Sequence, residues 1–309
     1  MKLLTKKTTG LLLSSIFCFA LTACGDNDKP TVETDKVQPP SASSLQAIKD
    51  RGELRVAVFS DKPPFGYVDK QGNSQGYDIE LAKRLAKDLL GDENKVKFVL
   101  TEAQNRINVL TSNKVDVTLA NFTVTPERAK QVDFAKPYMK TAIGVVSPKT
   151  GAITDVEQLE GKVLIVNKGT TAETYFAKHY PNIKLQKYDH NSEAFAALKD
   201  GRGVGLAHDN TLLYAWTKNN PDFEVALHKV GEDDVIAPAV KKDNVELLNW
   251  INEEIGKLQN EEFFHKAYDK TVKPFYGDNI DPNNVVIDAS NLNITEVPST
   301  NDEAEETAE

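Results

Sequence analysis

Apolar positions recur along this chain in two interleaved periods. Leu54 to Val58 is a β-branched run, and Val96 to Leu100, Val115 to Leu119 and Thr141 to Val146 repeat it. Short apolar runs bounded by polar turns read as strands. Between the first two, Tyr77, Leu81, Leu85 and Leu89 are spaced by four and share one helix face, and Ile107 with Leu110 suggests a shorter helix. A second set opens at Val163-Leu164-Ile165-Val166. It continues with a helix from Thr171 to His179, a strand from Ile183 to Tyr188, a helix from Ser192 to Leu198, a strand from Val204 to Ala207 and a helix through Leu212 to Trp216. Strand Val235 to Val240 follows, then helices carrying Leu247, Ile251, Ile255 and Leu258, and Phe263, Phe264 and Ala267. Trp216 and Trp250 keep helical spacing with Leu or Ile and are expected in the core. This alternation predicts α/β units on mostly parallel sheets. No period of 20–50 residues marks an internal repeat.

The two ends depart from that pattern. Lys2, Lys6 and Lys7 precede the apolar stretch from Leu11 to Ala20, which suits a signal-peptide core and is short for a membrane span. Leu21-Thr22-Ala23-Cys24-Gly25 then resembles the lipobox of bacterial lipoproteins, in which the cysteine is lipidated and becomes the mature N-terminus. Residues 1–23 are therefore expected to be removed and Cys24 to carry a lipid anchor. Residues 24–44, with Pro30, Pro39-Pro40 and Ser41 to Ser44, read as a flexible tether. Residues 278–309 hold nine acids and neither Lys nor Arg, an acidic tail whose last ten residues or so are expected to be disordered. Within it, Val285-Val286-Ile287 predicts a short strand against the body.

Charge narrows the function classes. The 309 residues carry 37 Lys+Arg against 46 Asp+Glu, a net charge of −9. An acidic chain is a poor generic partner for nucleic acid, whose phosphates need a basic face. Loss of Lys2, Lys6 and Lys7 takes the net charge to −12, and setting aside the nine tail acids leaves −3 on residues 24–277. The acidity belongs mainly to the tail. Cys18 and Cys24 make neither a disulfide framework nor a zinc site, and processing leaves one cysteine, consumed by lipid. The histidines at 179, 190, 208, 228 and 265 show no metal-ligand spacing, so neither metal nor cofactor is expected.

Three stretches carry candidate chemistry. In Thr123-Val124-Thr125-Pro126-Glu127-Arg128, Thr125 is a natural N-cap and Pro126 suits the first helical position. Arg128 then lies in the first turn, where a cation is disfavoured unless an anion joins it. An arginine fork beside free amides suits a carboxylate, although pairing of Arg128 with Glu127 or Asp133 on the surface is the plainer reading. Asp209 follows an apolar strand and opens a helix. It is either an N-cap or a carboxylate at the strand edge where α/β ligands bind. Gly169-Thr170-Thr171 is a loop between strand and helix that supplies hydroxyls and amides. Gly201-Arg202-Gly203-Val204-Gly205 precedes a strand and reads as a turn, not a nucleotide loop. There is no G-x-S-x-G motif and no nucleophile–base pairing.

Several motifs occur in order: Asp61-Lys62-Pro63-Pro64-Phe65, Gly76-Tyr77-Asp78-Ile79-Glu80-Leu81-Ala82, Val115-Asp116-Val117, the Thr123–Arg128 stretch, and Val132-Asp133-Phe134-Ala135-Lys136-Pro137-Tyr138. Together, over about residues 45–277, they resemble the solute-binding proteins of polar amino-acid ABC importers, family 3 of bacterial extracellular solute-binding proteins. The resemblance implies a two-lobed, type II periplasmic-binding-protein-like α/β fold with two hinge strands, closing on its ligand. Lobe 1 would combine 45–139 with 237–277, and lobe 2 would be 140–236, with crossings near Tyr138–Ala142 and Asp234–Pro238. It implies that Arg128, aided by Thr123 and the backbone near Asn121, holds an α-carboxylate. Asp209 would hold the α-ammonium, Thr170 or Thr171 would seal the cleft, and Phe59 and Phe65 would add apolar surface. Arg106 sits where aspartate/glutamate binders hold a side-chain carboxylate, yet Phe59 disfavours an acidic ligand. Longer matches, such as His208-Asp209-Asn210-Thr211-Leu212-Leu213 and Asp234-Val235-Ile236-Ala237-Pro238-Ala239-Val240, are similar to the cysteine-binding lipoproteins of the family. The expected protein is a non-enzymatic, monomeric lipoprotein that captures L-cysteine, or else glutamate or aspartate, for a membrane permease. A cyclohexadienyl dehydratase-like enzyme is the alternative from another class.

Overall fold

The computed structural model describes residues 43–277 and 280–288. The signal segment, Cys24, the tether up to residue 42 and the last 21 residues of the acidic tail lie outside the described residues. All described residues belong to one compact unit.

Two five-stranded sheets organise that unit. In the first, the spatial order is Val96–Leu100, Leu54–Val58, Val117–Thr118, Ala239–Lys241, Val132–Phe134. In the second it is Lys184–Tyr188, Val163–Asn167, Gly205–Asp209, Met139–Pro148, Phe223–Ile236. Three strands of each sheet run parallel, and the fourth, antiparallel to its neighbours, has just arrived from the other sheet. The chain therefore crosses twice, and the crossings run side by side. Met139 pairs with Ile236, and Tyr138 N–H donates to Ile236 O at 3.0 Å. A small third sheet, Asp61–Lys62, Gly66–Val68 and Ser74–Gln75, branches from the first.

The periodicity explains what is buried. In helix Tyr77–Leu90, Tyr77, Leu81 and Leu85 are buried and Leu89 is half-buried, with Gly91 ending the helix in the left-handed region at φ 78°. Leu164 to Val166 are wholly buried, as expected for parallel strands covered on both faces. Trp216 stacks on Phe195 at 4.3 Å, half-buried at the core margin, where Trp250 also sits. Phe264 lies 5.9 Å from the ring of Tyr138 and 6.5 Å from that of Tyr77, filling the base of the crossing.

Some elements differ from expectation. The run Val235 to Val240 is not one strand, because it breaks at Ala237-Pro238. Proline cannot donate to a ladder, and Pro238 O instead accepts from Ala135 N at 2.8 Å. Strand Val115 to Leu119 is regular only at Val117–Thr118. Ser43 and Ser44, assigned to the tether, belong to the body: Ser43 is buried, and Ser44 caps the helix Leu45–Arg51. Residues 280–288, counted with the acidic tail, also pack on it. Val285, Val286 and Ile287 are buried but form an isolated bridge rather than a strand, with Lys140 N donating to Val285 O at 2.7 Å and Ile287 N to Tyr138 O at 3.2 Å.

Phe264→Ala is expected to destabilise the fold by about 3–5 kcal/mol, since it empties a fully buried aromatic site packed against Tyr77 and Tyr138. Urea unfolding of the variant against wild type measures this.

Candidate functional site

The C-terminal ends of the strands converge between the two sheets. There Phe59, Lys62, Arg106, Asn121, Thr123, Thr170, Thr171, His208 and Asp209 line a small cavity of about 10 Å³. The first sheet and its loops supply Phe59 through Thr123, and the second supplies Thr170 through Asp209. Of the residues singled out in the sequence, Phe59, Arg106, Asn121, Thr123, Thr170, Thr171 and Asp209 meet at this cavity. Arg128 lines an adjoining depression that shares Thr171 with it. Phe65 is not brought to the cavity. It is fully buried in the core with Tyr77 and Ile79.

Asp209 ends the strand Gly205–Asp209 and precedes the helix Asn210–Lys218, yet its carboxylate makes no capping bond. It accepts from Asn121 Nδ2 at 2.6 Å, a contact made from one sheet to the other. Asn121 is in the left-handed region at φ 45°, and Ala120 before it at φ 39°. Side chains rarely adopt this backbone, and it is held here by the surrounding structure. Asp78 does that holding. Its Oδ2 accepts from Asn121 N at 2.8 Å, and its Oδ1 accepts from the Tyr138 hydroxyl at 2.6 Å. Cavity floor and crossing strand thus share one buried carboxylate.

The arginines are bound mainly by backbone. Arg106 donates to the carbonyls of Ala103, Ala120, Asn121 and Gly169 at 2.9–3.2 Å, and its guanidinium lies 4.4 Å from the Phe122 ring centre. Burial and the nearby Arg128 hold Arg106 well below the usual arginine range. Arg128 donates to Thr123 O at 2.6 Å and to Gly169 O at 3.0 Å. Its surface pairing with Glu127 or Asp133 does not form, because Asp133 is taken by Lys242 at 2.7 Å. Burial lowers Arg128 to about 10, so it remains a cation at neutral pH. Thr125 caps the turn Pro126–Ala129 as expected, accepting from Arg128 N at 3.2 Å.

Gly169 O is thus shared by two arginines from the opposite sheet. Its own φ is +75°, and a Cβ there would fall 2.4 Å from Gln104 Cα, so glycine permits the approach. Thr170 caps the helix Thr171–His179 with its hydroxyl, accepting from Glu173 N at 3.2 Å and donating to Asn167 O at 2.7 Å. Thr171 Oγ1 and Asn121 Oδ1 are buried at the cavity without a protein partner.

Lys62, His208 and Asp78 were not singled out from the sequence as site residues. Lys62 is 1% exposed, its Nζ 3.3 Å from His208 Nε2 and 4.1 Å from the Phe59 ring centre. Burial, then Arg106, pulls Lys62 down to about 8, and burial holds His208 well below the ordinary histidine range. Burial raises Asp209, and raises Asp234 beside Arg128 to about 6. Among the described residues, no group of three or more His, Cys, Asp or Glu side chains is arranged to hold a metal ion, and no helix is long and apolar enough to cross a membrane.

The sequence profile of bacterial extracellular solute-binding proteins, family 3, matches residues 54–274. The chain belongs to that family. The crystal structure of the solute receptors for L-cysteine of Neisseria gonorrhoeae is similar, with TM-score 0.78 and 57% identity over 79% of this chain and all of that one. A cysteine-binding protein from Campylobacter jejuni has TM-score 0.78 and 60% identity, over 79% of this chain and 98% of its own. The ABC transporter glutamine-binding protein of Bacillus subtilis (strain 168) is 32% identical over 87% of this chain and 98% of its own. The mixed α/β architecture is the type II periplasmic-binding-protein fold of these family members.

Asp78 makes stability pH-dependent in a defined direction. Burial raises it in the folded protein from 3.8 to about 6. The folded state therefore binds this proton more tightly than the unfolded chain does. The resulting stabilisation is full below the unfolded value and is lost as pH rises through about 6. Wild type is expected to lose about 2–3 kcal/mol from this group between those limits. Asp78→Asn removes that component of the slope, as urea unfolding at a series of pH values will show.

Proposed function

We propose that this family member is the binding lipoprotein of an amino-acid ABC importer, capturing free L-cysteine between two lobes and delivering it to a membrane permease. The observation that carries this reading is the placement of opposite charges on opposite sheets, Asp209 at the cavity and Arg128 in the depression that adjoins it. Arg128 comes from the side of the first sheet and Asp209 from the side of the second. A zwitterion with an α-carboxylate toward Arg128 and an α-ammonium toward Asp209 would bind the approached lobes better than the separated ones, and so favour closure. Thr171 Oγ1 and Asn121 Oδ1, unpartnered at the cavity, would take the remaining polar contacts. The lobes would be 45–139 with 237–277, and 140–236.

Size and polarity favour cysteine. Ordinary ligand pockets hold roughly 300–1,000 Å³, whereas these walls leave only about 10 Å³, so they must part for any amino acid to enter. A side chain of two heavy atoms asks the walls to part less than that of glutamate does. Arg106, which would pair with an acidic side chain, has four of its donor contacts on backbone carbonyls. The solved cysteine receptors at 57% and 60% identity support the same ligand. The binding reading needs no catalytic step, and it places the protein outside the cytoplasm, anchored through lipid on Cys24 and acting as a monomer.

Arg128→Ala and Asp209→Ala are each expected to weaken cysteine binding at least about 30-fold, because removing one partner of a desolvated charged contact costs about 2–5 kcal/mol. Calorimetry on the unlipidated protein under reducing conditions measures both variants. Wild-type affinity in either one would remove that residue from the site. A wild-type protein that binds glutamate and not cysteine would reverse the choice of ligand.

A further inference from the structure

Lys62 presents a problem that the zwitterion does not solve. Its ammonium lies in the small sheet at the cavity wall, withdrawn from water, where a lysine is rarely found unless paired. No carboxylate lies within ion-pair distance of it among the described residues. Asp61, Asp209 and Glu102 attract it only through space, and Arg106 repels it. Among the described residues, its one hydrogen-bonding side-chain contact is His208 Nε2, at 3.3 Å.

That nitrogen is the wrong kind of partner. Asp209 N–H donates to His208 Nδ1 at 2.7 Å, so Nδ1 carries the lone pair. Burial keeps the ring neutral, and a neutral imidazole whose Nδ1 accepts bears its proton on Nε2. The 3.8 Å separation of His208 Nδ1 and Asp209 Oδ2 is then no ion pair. An ammonium and an Nε2–H thus face one another beside the cavity, two donors with no acceptor between them. The face of the Phe59 ring lies 4.1 Å from Lys62 Nζ, a cation–π contact that offsets part of the charge but offers no lone pair to either donor.

We propose that Lys62, with His208 behind it, is a specificity-determining residue that receives the sulfur of the bound amino acid as a thiolate. This rests on the reading of the ligand as cysteine. A thiolate carries several lone pairs and accepts from both donors. Free cysteine thiols ionise near pH 8.5, and an adjacent cation lowers that value. A serine hydroxyl does not ionise in this range and leaves the ammonium unneutralised, so the same wall rejects it. On binding, the S–H bond breaks, sulfur keeps the electron pair, and the proton leaves to solvent. Lys62, which titrates at about 8, is mainly charged at pH 7 before the ligand arrives.

Calorimetry at pH 7, under reducing conditions and in two buffers of different ionisation enthalpy, tests this with L-cysteine and L-serine. Wild type is expected to release about one proton on binding cysteine. Lys62→Met keeps the unbranched side chain while removing the buried charge. It is expected to lower the cysteine-over-serine affinity ratio at least about tenfold, the equivalent of one charged hydrogen bond, and to abolish proton release. An unchanged ratio in Lys62→Met, or cysteine binding by wild type without proton release, would overturn the assignment. Wild-type protein that does not bind cysteine would overturn the ligand reading as well. The proton count on wild type needs no variant, so it stands even if Lys62→Met fails to fold.

Discussion

Charge withdrawn from water must be compensated within a few ångströms, and the cleft of this protein is organised by that requirement. Lys62, Arg106 and Asp209 are each at most 4% exposed, and His208 is 2% exposed beside them. Isolated, any of these groups would be expensive to bury. Here they lie close enough that positive and negative partners offset one another across the interval between the sheets. The compensation is incomplete where unpartnered polar atoms meet the cavity. Polar atoms buried at a cavity without a protein partner are positioned to bond a polar guest.

Backbone carbonyls do much of the compensating. Gly169 O takes a hydrogen bond from each of two arginines, and Ala103, Ala120 and Asn121 supply three more to Arg106. Carbonyls neutralise no charge, so the guanidinium groups keep their long-range field while their geometry is locked. That separates two jobs an arginine often does at once. Arg106 braces the loop that carries Asn121, and Arg128 ties the loop of Thr123 to the loop of Gly169. Asp78 extends the bracing to Tyr138, so that the crossing strands and the cavity floor respond to the same carboxylate.

Much of the architecture was legible in local periodicity, because strand and helix spacing record which face is buried. Tyr77, Leu81 and Leu85 announced a helix face, and the apolar run at Val163–Val166 announced a covered strand. Asp209 and Arg128 were legible as choices between two roles, since a cap and a ligand contact use the same residue type at the same place. The geometry excludes capping for Asp209 and surface pairing for Arg128. Lys62 was not legible as a site residue. Its burial arises from a partner 146 residues away, and nothing in Asp61-Lys62-Pro63-Pro64 distinguishes it from an exposed turn lysine. Phe65 failed in the opposite sense: it shares a motif with site residues, but the small sheet turns it beneath the helix at Tyr77. The apolar triplet Val285-Val286-Ile287 was legible within its acidic surroundings as a segment packed on the body, and only its regular strand pairing fails to form.

The wiring of the first sheet sets the order in which the molecule can be assembled. Its fourth position is filled by Ala239–Lys241, which lies between Val117–Thr118 and the edge strand Val132–Phe134. Until those residues are available, the edge strand has no neighbour to pair with. A chain that becomes available from its N-terminus onward must leave two of the five positions of this sheet unpaired while the whole of the second sheet follows. The second sheet is continuous in sequence and has all five strands before that point. The half that starts first therefore finishes last. Closure of such distant contacts is the slow part of folding, and it exposes unpaired strand edges in the interval. Before residue 241 is available to pair, the open edge of the first sheet is the part of the nascent fold most exposed to wrong pairing.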